Sequence, residues 1–416
     1  MPAARRVHPD VTPVLPADRP AVHATTIFET MTQLAQHHGA VNLGQGFPDD
    51  DGPEWVRRLA AEAILSGRNR ANQYAPGAGL PALRRAVAEH QQRHYGIGLD
   101  PDRQVVITTG ATEGIAAALL ALTGPGDEVV SFEPFYDSYA AVTAVSGAAF
   151  ITVPLSAPDF QPSATALEEA ITERTRVLLL NSPHNPTGTV VPPEVLSRIV
   201  EVCARHDVLI LSDEVYEHLV YDGVDGRHHS VAAVPGASAR TLTVSSAGKS
   251  FSMTGWKVGW VTGPAELVTA VRAVKQFLTY SSGPAYQGAI AEALGEGDAF
   301  LAEQRDRYRA LRDRLVSGLR RAGLDPVVPA AGYFTVTDLG VLGVPDAAAA
   351  AEELAERAGV VGIPVSALCR PTGESDGAVP FRSWMRWAFC KQPAVVDEAV
   401  VRLQGLRDLG DVVGRQ

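Results

Sequence analysis

The run RVLLLNSPHNPTG (176–188) sets the fold of this chain. Val177 to Leu180 are apolar at four successive positions, without the polar alternation of a half-exposed strand. A strand of this kind is covered on both faces, as in parallel sheets flanked by helices. Asn, Pro and Gly then end it in a turn, with Asn185–Pro186 a candidate cis bond. Further strand runs stand on either side: QVVITTG (104–110), DEVVSFEP (127–134), AAFITVPL (148–155), VLILSDE (208–214) and TLTVSS (241–246). Helical stretches such as ATEGIAAALLALTG and PEVLSRIVEVCARHD separate several of them. Strand–helix alternation predicts an α/β fold with a mostly parallel sheet from about Glu54 to Leu301.

Beyond residue 301 the texture changes. FLAEQRDRYRALRDRLVSGLRRAGL reads as one long amphipathic helix. YFTVTDL and SWMRWAFCK read as strands, with the helix DAAAAAEELAERAG between them and AVVDEAVVRLQGLRD as a closing helix. The expected organisation is an arm (1–25), a segment (26–53) joining a smaller domain, a large domain (54–301) and a smaller α+β domain (302–416). MPAARRVHPDVTPVLPADRP lacks the apolar core of a secretion signal.

With 416 residues, 46% of them hydrophobic, the chain can bury a large core and a second, smaller one. A net charge of −11 argues against nucleic acid or an anionic membrane surface as partner. Three cysteines without a CxxC point to a reducing cytoplasm rather than to a disulfide framework or a zinc site.

Ligands on such sheets bind beyond the carboxyl ends of the strands, so the residues there are the candidates. Asp213 falls where VLILS ends; it is either a solvated surface acid or a buried carboxylate that needs partners. Lys249, in SSAGKSFSMTGWKVGW (245–260), is either a surface lysine or, if desolvated, a nucleophile with lowered pKa. Gly110, Ala111 and Thr112 open a helix, whose free N–H groups suit an anion, although many helices start this way without one. Arg386 lies inside an apolar strand and needs a fixed anion, either an internal carboxylate or a substrate's.

Seven motifs in order resemble the class I/II aminotransferases that use pyridoxal phosphate: VNLGQGFPDDDGP, NQYAPGAGLPALRRA, GATEGI, EPFYDSY, NSPHNPTG, SDEVYEHL and SSAGKSFSMTGWKVGW. The likeness runs from about Thr26 to Lys391 and is strongest to the kynurenine/glutamine and methionine branch. Bacterial N-succinyldiaminopimelate aminotransferases are similar too. The resemblance implies a fold type I architecture, a mostly parallel seven-stranded sheet beside a smaller α+β domain. It implies a cytoplasmic homodimer that moves an amino group between an L-amino acid and a 2-oxo acid by a ping-pong mechanism. Lys249 would form the aldimine, Asp213 would pair with the pyridinium nitrogen, and Tyr216 and Asn185 would meet the ring oxygen. Tyr136 would stack on the ring. Gly110, Ala111, Thr112, Ser246 and Lys257, with Tyr74 of the neighbouring subunit, would hold the phosphate. Arg386 would clamp the substrate carboxylate, aided by Asn185 and Gly46.

Some positions depart from the kynurenine branch. Thr112 stands where a tyrosine is frequent, and YSSGPAYQ (280–287) lacks the usual aromatic and histidine, which argues against an aromatic substrate. Phe28 either faces the substrate or fastens the N-terminal segment to the core. GAGLPA (77–82) follows no strand, so it reads as a turn rather than a nicotinamide site. The pairs His37–His38 and His228–His229 read as solvated surface rather than metal ligands. A β-lyase acting on cysteine conjugates is the alternative on the same scaffold. A DNA-binding regulator on this scaffold would need an appended helix-turn-helix and a basic face, and the net charge of −11 gives that alternative little support.

Overall fold

The computed structural model describes residues 26–370 and 379–408; the expected arm, 1–25, lies outside them. Helix α1 (Ile27–His38) is capped by the Thr26 hydroxyl, which accepts the Glu29 N–H, and ends at Gly39 with φ 60°. Strand β1 (Val41–Asn42) follows, then helices α2 (Glu54–Ser66) and α3 (Pro81–Tyr95). The central sheet holds β2 (Val105–Thr108), β3 (Glu128–Glu133), β4 (Ala149–Pro154), β5 (Thr175–Asn181), β6 (Leu209–Asp213), β7 (Thr241–Ser246) and β8 (Gly259–Thr262). Helix α4 (Gly110–Leu122) leaves β2 directly. The order across the sheet is β2-β8-β7-β6-β5-β3-β4, parallel throughout except for β8, which is antiparallel to both neighbours.

The four apolar residues of β5 show why no alternation was visible. Val177 and Leu179 belong to one core cluster, with α4, while Leu178 and Leu180 belong to another on the opposite face. Strand β8 was not among the runs singled out from sequence. It has only four residues, Gly-Trp-Val-Thr, directly behind the turn-rich SSAGKSFSMTGWKV.

Strands β9 (Phe334–Asp338), β10 (Val360–Val361), β11 (Ile363–Pro364) and β12 (Trp384–Ala388) form the remaining sheets. β11, β12 and β9 are antiparallel neighbours, and β10 pairs in parallel with β1. The long helix Asp298–Arg321 packs with these strands in a cluster that also takes in Val215 and Tyr216. Met31 and Ala35 of α1 pack against Val361, Ile363 and Leu368. The segment after α1 therefore reaches the cleft between the central sheet and the C-terminal strands.

Candidate active site

Adjacent strands end together: Asn181 of β5 is in register with Asp213 of β6, and β7 ends beside them at Ser246. They open onto a cavity of about 310 Å³ between the carboxyl edge of the sheet and β12. Lys249, Asp213, Tyr216, Asn185, Tyr136 and Arg386 line it. Phe28, Gly46, Gly110, Ala111, Thr112, Ser246 and Lys257 line it as well. Tyr74 does not; it is 84% exposed and packs edge-on against Tyr280.

Asp213 is buried, and burial pushes its carboxyl up to about 6. The Tyr139 hydroxyl, which donates to Oδ2 at 2.5 Å, and the Val215 N–H on Oδ1 hold it lower than burial alone would. Tyr139 was not singled out as a site residue; Tyr136 precedes the helix Ser138–Ser146 that carries Tyr139, so no helical spacing linked the two.

Lys249 follows the end of β7 in a single helical turn, Ala247–Ser250. Its Nζ donates to the Tyr333 hydroxyl at 2.8 Å and to the Gly46 carbonyl at 3.4 Å. Desolvation pulls the amine down to about 8, with Arg386 and Lys257 acting in the same direction. Tyr333 in turn donates to the Gly46 carbonyl at 2.7 Å. Its sequence signal was only that it opens the strand-like run YFTVTDL.

Arg386 is buried at the centre of β12. Nη1 donates to Asn185 Oδ1 at 3.0 Å and Nη2 to the Gly44 carbonyl at 2.8 Å, while Nε is buried without a partner. Burial lowers the guanidinium to about 10. The Phe334 ring lies 4.0 Å from it and Phe28 5.3 Å, so Phe28 faces the site while its helix packs on the core. Among the described residues no carboxylate forms an ion pair with Arg386. A buried cation with an orphaned donor and only neutral acceptors is matched to an anion from outside the chain.

At the other end of the cavity α4 begins at Gly110, with φ +76°. Strand β8 passes so close that a Cβ on Gly259 would lie 2.6 Å from the Gly110 carbonyl carbon and 2.8 Å from the Ala111 nitrogen. A Cβ on Gly110 would stand 3.3 Å from Lys257 Nζ. The helix start and this ammonium together form an anion seat.

Asn185–Pro186 is cis, as the sequence suggested, and so is Ser182–Pro183. His228 is not on the surface: its side chain is 1% exposed and bonds Glu214 Oε2 at 2.7 Å. The reason is that Glu214 points inward, where Oε1 also accepts from Ser212, Ser230 and the Val231 N–H, which draws residues 228–231 into the core.

The family pattern "Aminotransferase class I and II" matches residues 39–403. A probable N-succinyldiaminopimelate aminotransferase of Mycobacterium tuberculosis is 46% identical over 391 residues, 93% of this chain and 97% of that protein. The methionine aminotransferase of Escherichia coli is 38% identical, covering 95% of this chain and 99% of its own. The solved structure of the mycobacterial N-succinyldiaminopimelate aminotransferase superposes with a TM-score of 0.87, covering 92% of this chain and 97% of that one. An aspartate aminotransferase of Thermus thermophilus, solved with maleate, is 33% identical with a TM-score of 0.83, covering 92% and 97%. No helix among the described residues is long and apolar enough to cross a membrane. Likeness of this extent over nearly the whole chain means that it belongs to the class I and II aminotransferases and is a pyridoxal-phosphate-dependent enzyme of the transaminase type.

Proposed function

We propose that this cavity exchanges an amino group between an L-amino acid and a 2-oxo acid in alternating half-reactions, in a cytoplasmic homodimer whose two sites are shared. The observation that carries the reading is the pairing of an anion seat at one end of the cavity with the unpaired Arg386 at the other, and Lys249 between them. We also assign residues 54–301 to a large cofactor-holding domain, and 26–53 with 302–416 to a smaller one.

The residues fit pyridoxal phosphate. Ala111 and Thr112 with Ser246 and Lys257 would hold its phosphate, Asp213 its ring nitrogen, Tyr136 its face, and Asn185 and Tyr216 its ring oxygen. When bound, the cofactor supplies the electron sink that makes loss of the substrate Cα proton feasible. Arg386 would grip the α-carboxylate in its fork, with Asn185 keeping the guanidinium in place. Lys249 Nζ, brought toward neutrality by desolvation, would take up and return the Cα proton. Tyr333 orients that amine through its hydroxyl. Holding the substrate at its carboxylate places one hydrogen toward the lysine, a gain of position rather than of new bonding. Tyr74 of the neighbouring subunit would complete the phosphate seat, consistent with its exposure in the single chain.

The test is a screen of L-amino acid donors against 2-oxo acids, with the aminated product identified by mass spectrometry. We expect nitrogen transfer with at least one pair and a bound chromophore that borohydride fixes to Lys249. Release of pyruvate and ammonia from cysteine conjugates, with no aminated product from any pair, would overturn transamination as the reaction.

A further inference from the structure

Behind the turn that carries Asp213 and Tyr216 lies a second group of chemically capable residues with no part in the reaction above. His90 on α3, and Glu217 and His218 after β6, bring one potential ligand atom each to within 4.8 Å of one another. His90 Nε2 and His218 Nε2 stand 2.8 Å apart, so one ring must donate to the other. His94, one helical turn beyond His90, has its ring 4.5 Å from that of His90 and 5.2 Å from that of His218. Its side chain is 27% exposed and gives the otherwise buried group an edge toward solvent.

We propose that His90, His218 and Glu217, with His94 at the rim, form a binding site for a borderline divalent transition-metal ion of the zinc class. Two imidazoles and a carboxylate are a usual donor set for such an ion, with a fourth position for water or for His94. One observation besides the spacing points to a cation. Glu217 is a buried carboxylate with no cationic partner among the described residues; Ser245 and Tyr95 donate one hydrogen bond to each oxygen, which leaves a lone pair on each. The nearby Arg93 is turned away, to the Leu294 carbonyl and Asp298. With bonds of about 2.0–2.1 Å to zinc, ligand atoms lie some 3.3 Å apart, so the rings would open by about half an ångström. The ion would tie α3 to the turn on which Asp213 and Tyr216 depend.

The experiment uses the holoenzyme, freed of metal by chelator and titrated with Zn²⁺ and, separately, Co²⁺. We expect one equivalent of Zn²⁺ retained per chain through gel filtration, and visible ligand-field bands with Co²⁺. His94→Ala, at the rim, would weaken uptake and His218→Ala abolish it, while a His37→Ala/His38→Ala chain retains it. Failure of the wild-type holoenzyme to retain zinc overturns the site without relying on any variant. Retention that survives in a folded His90→Ala/His218→Ala chain overturns it equally.

Discussion

At the level of single residues, the site works by setting charges where packing strips them of much of their water. Lys249 illustrates this: among the described residues its amine has no carboxylate at bonding distance, and desolvation draws it from the ordinary lysine range down to about 8. Its neutral form therefore appears as pH rises through about 8 rather than above 10. In cofactor-free enzyme, labelling of the Lys249 peptide by a small amine reagent should climb through that range; a rise only near pH 10 would remove the desolvation argument. Asp213 shifts the other way, from 3.8 to about 6. A carboxyl raised in the folded state favours folding fully below its unfolded pKa, and that contribution is lost as pH rises through the folded value. Asp213→Asn should therefore stabilise the cofactor-free protein at pH 8, by on the order of 2–3 kcal/mol, and have little effect at pH 4. The same change should lower turnover of the holoenzyme by about a thousandfold, near 4 kcal/mol. Equal melting shifts at both pH values would contradict the buried-acid reading.

At the level of elements, the anion seat depends on how closely β8 approaches the first turn of α4. Gly259 is the contact, and the atoms a side chain would strike are backbone, which cannot swing aside. Gly259→Ala should cost about 1–3 kcal/mol by overpacking. Because the displaced backbone is the seat itself, cofactor affinity should fall about tenfold or more, about 1.4 kcal/mol in binding free energy. Equilibrium dialysis of the variant measures it, and unchanged affinity would show that the α4 terminus does not hold the phosphate. The other strands of the central sheet were legible as short apolar or β-branched runs, up to the four residues Val177–Leu180, bounded by turns or helical stretches. β8 was not, because a four-residue strand behind a turn-rich loop carries too little periodicity.

At the level of the whole molecule, the cavity exists because three distant stretches converge: the loop after β1, the carboxyl edge of the central sheet, and β12. Tyr74 lies outside it in its own chain. If the sites are shared, the enzyme should sediment at twice the 44.0 kDa chain mass. A Lys249→Ala chain should then be inactive by itself and a Tyr74→Ala chain impaired. Heterodimers of the two recover one intact site, so refolding them together should restore activity beyond the sum of the parts. Absence of recovery in verified heterodimers would place Tyr74 outside the partner's site. The sequence by itself determined the α/β class, the strand ends that bear Asp213 and Lys249, and the motif set that resembles aminotransferases, because these follow from local pattern and short spacing. Only the tertiary structure decided that Arg386 has no ion-pair partner among the described residues, that Tyr139 and Tyr333 bond Asp213 and Lys249, and that His228 is buried. It also brought His90 to His218. Those facts depend on which side chains meet after the chain folds back on itself, over separations from 14 residues for His228 and Glu214 to 128 for His90 and His218, and burial and pairing are set by that meeting.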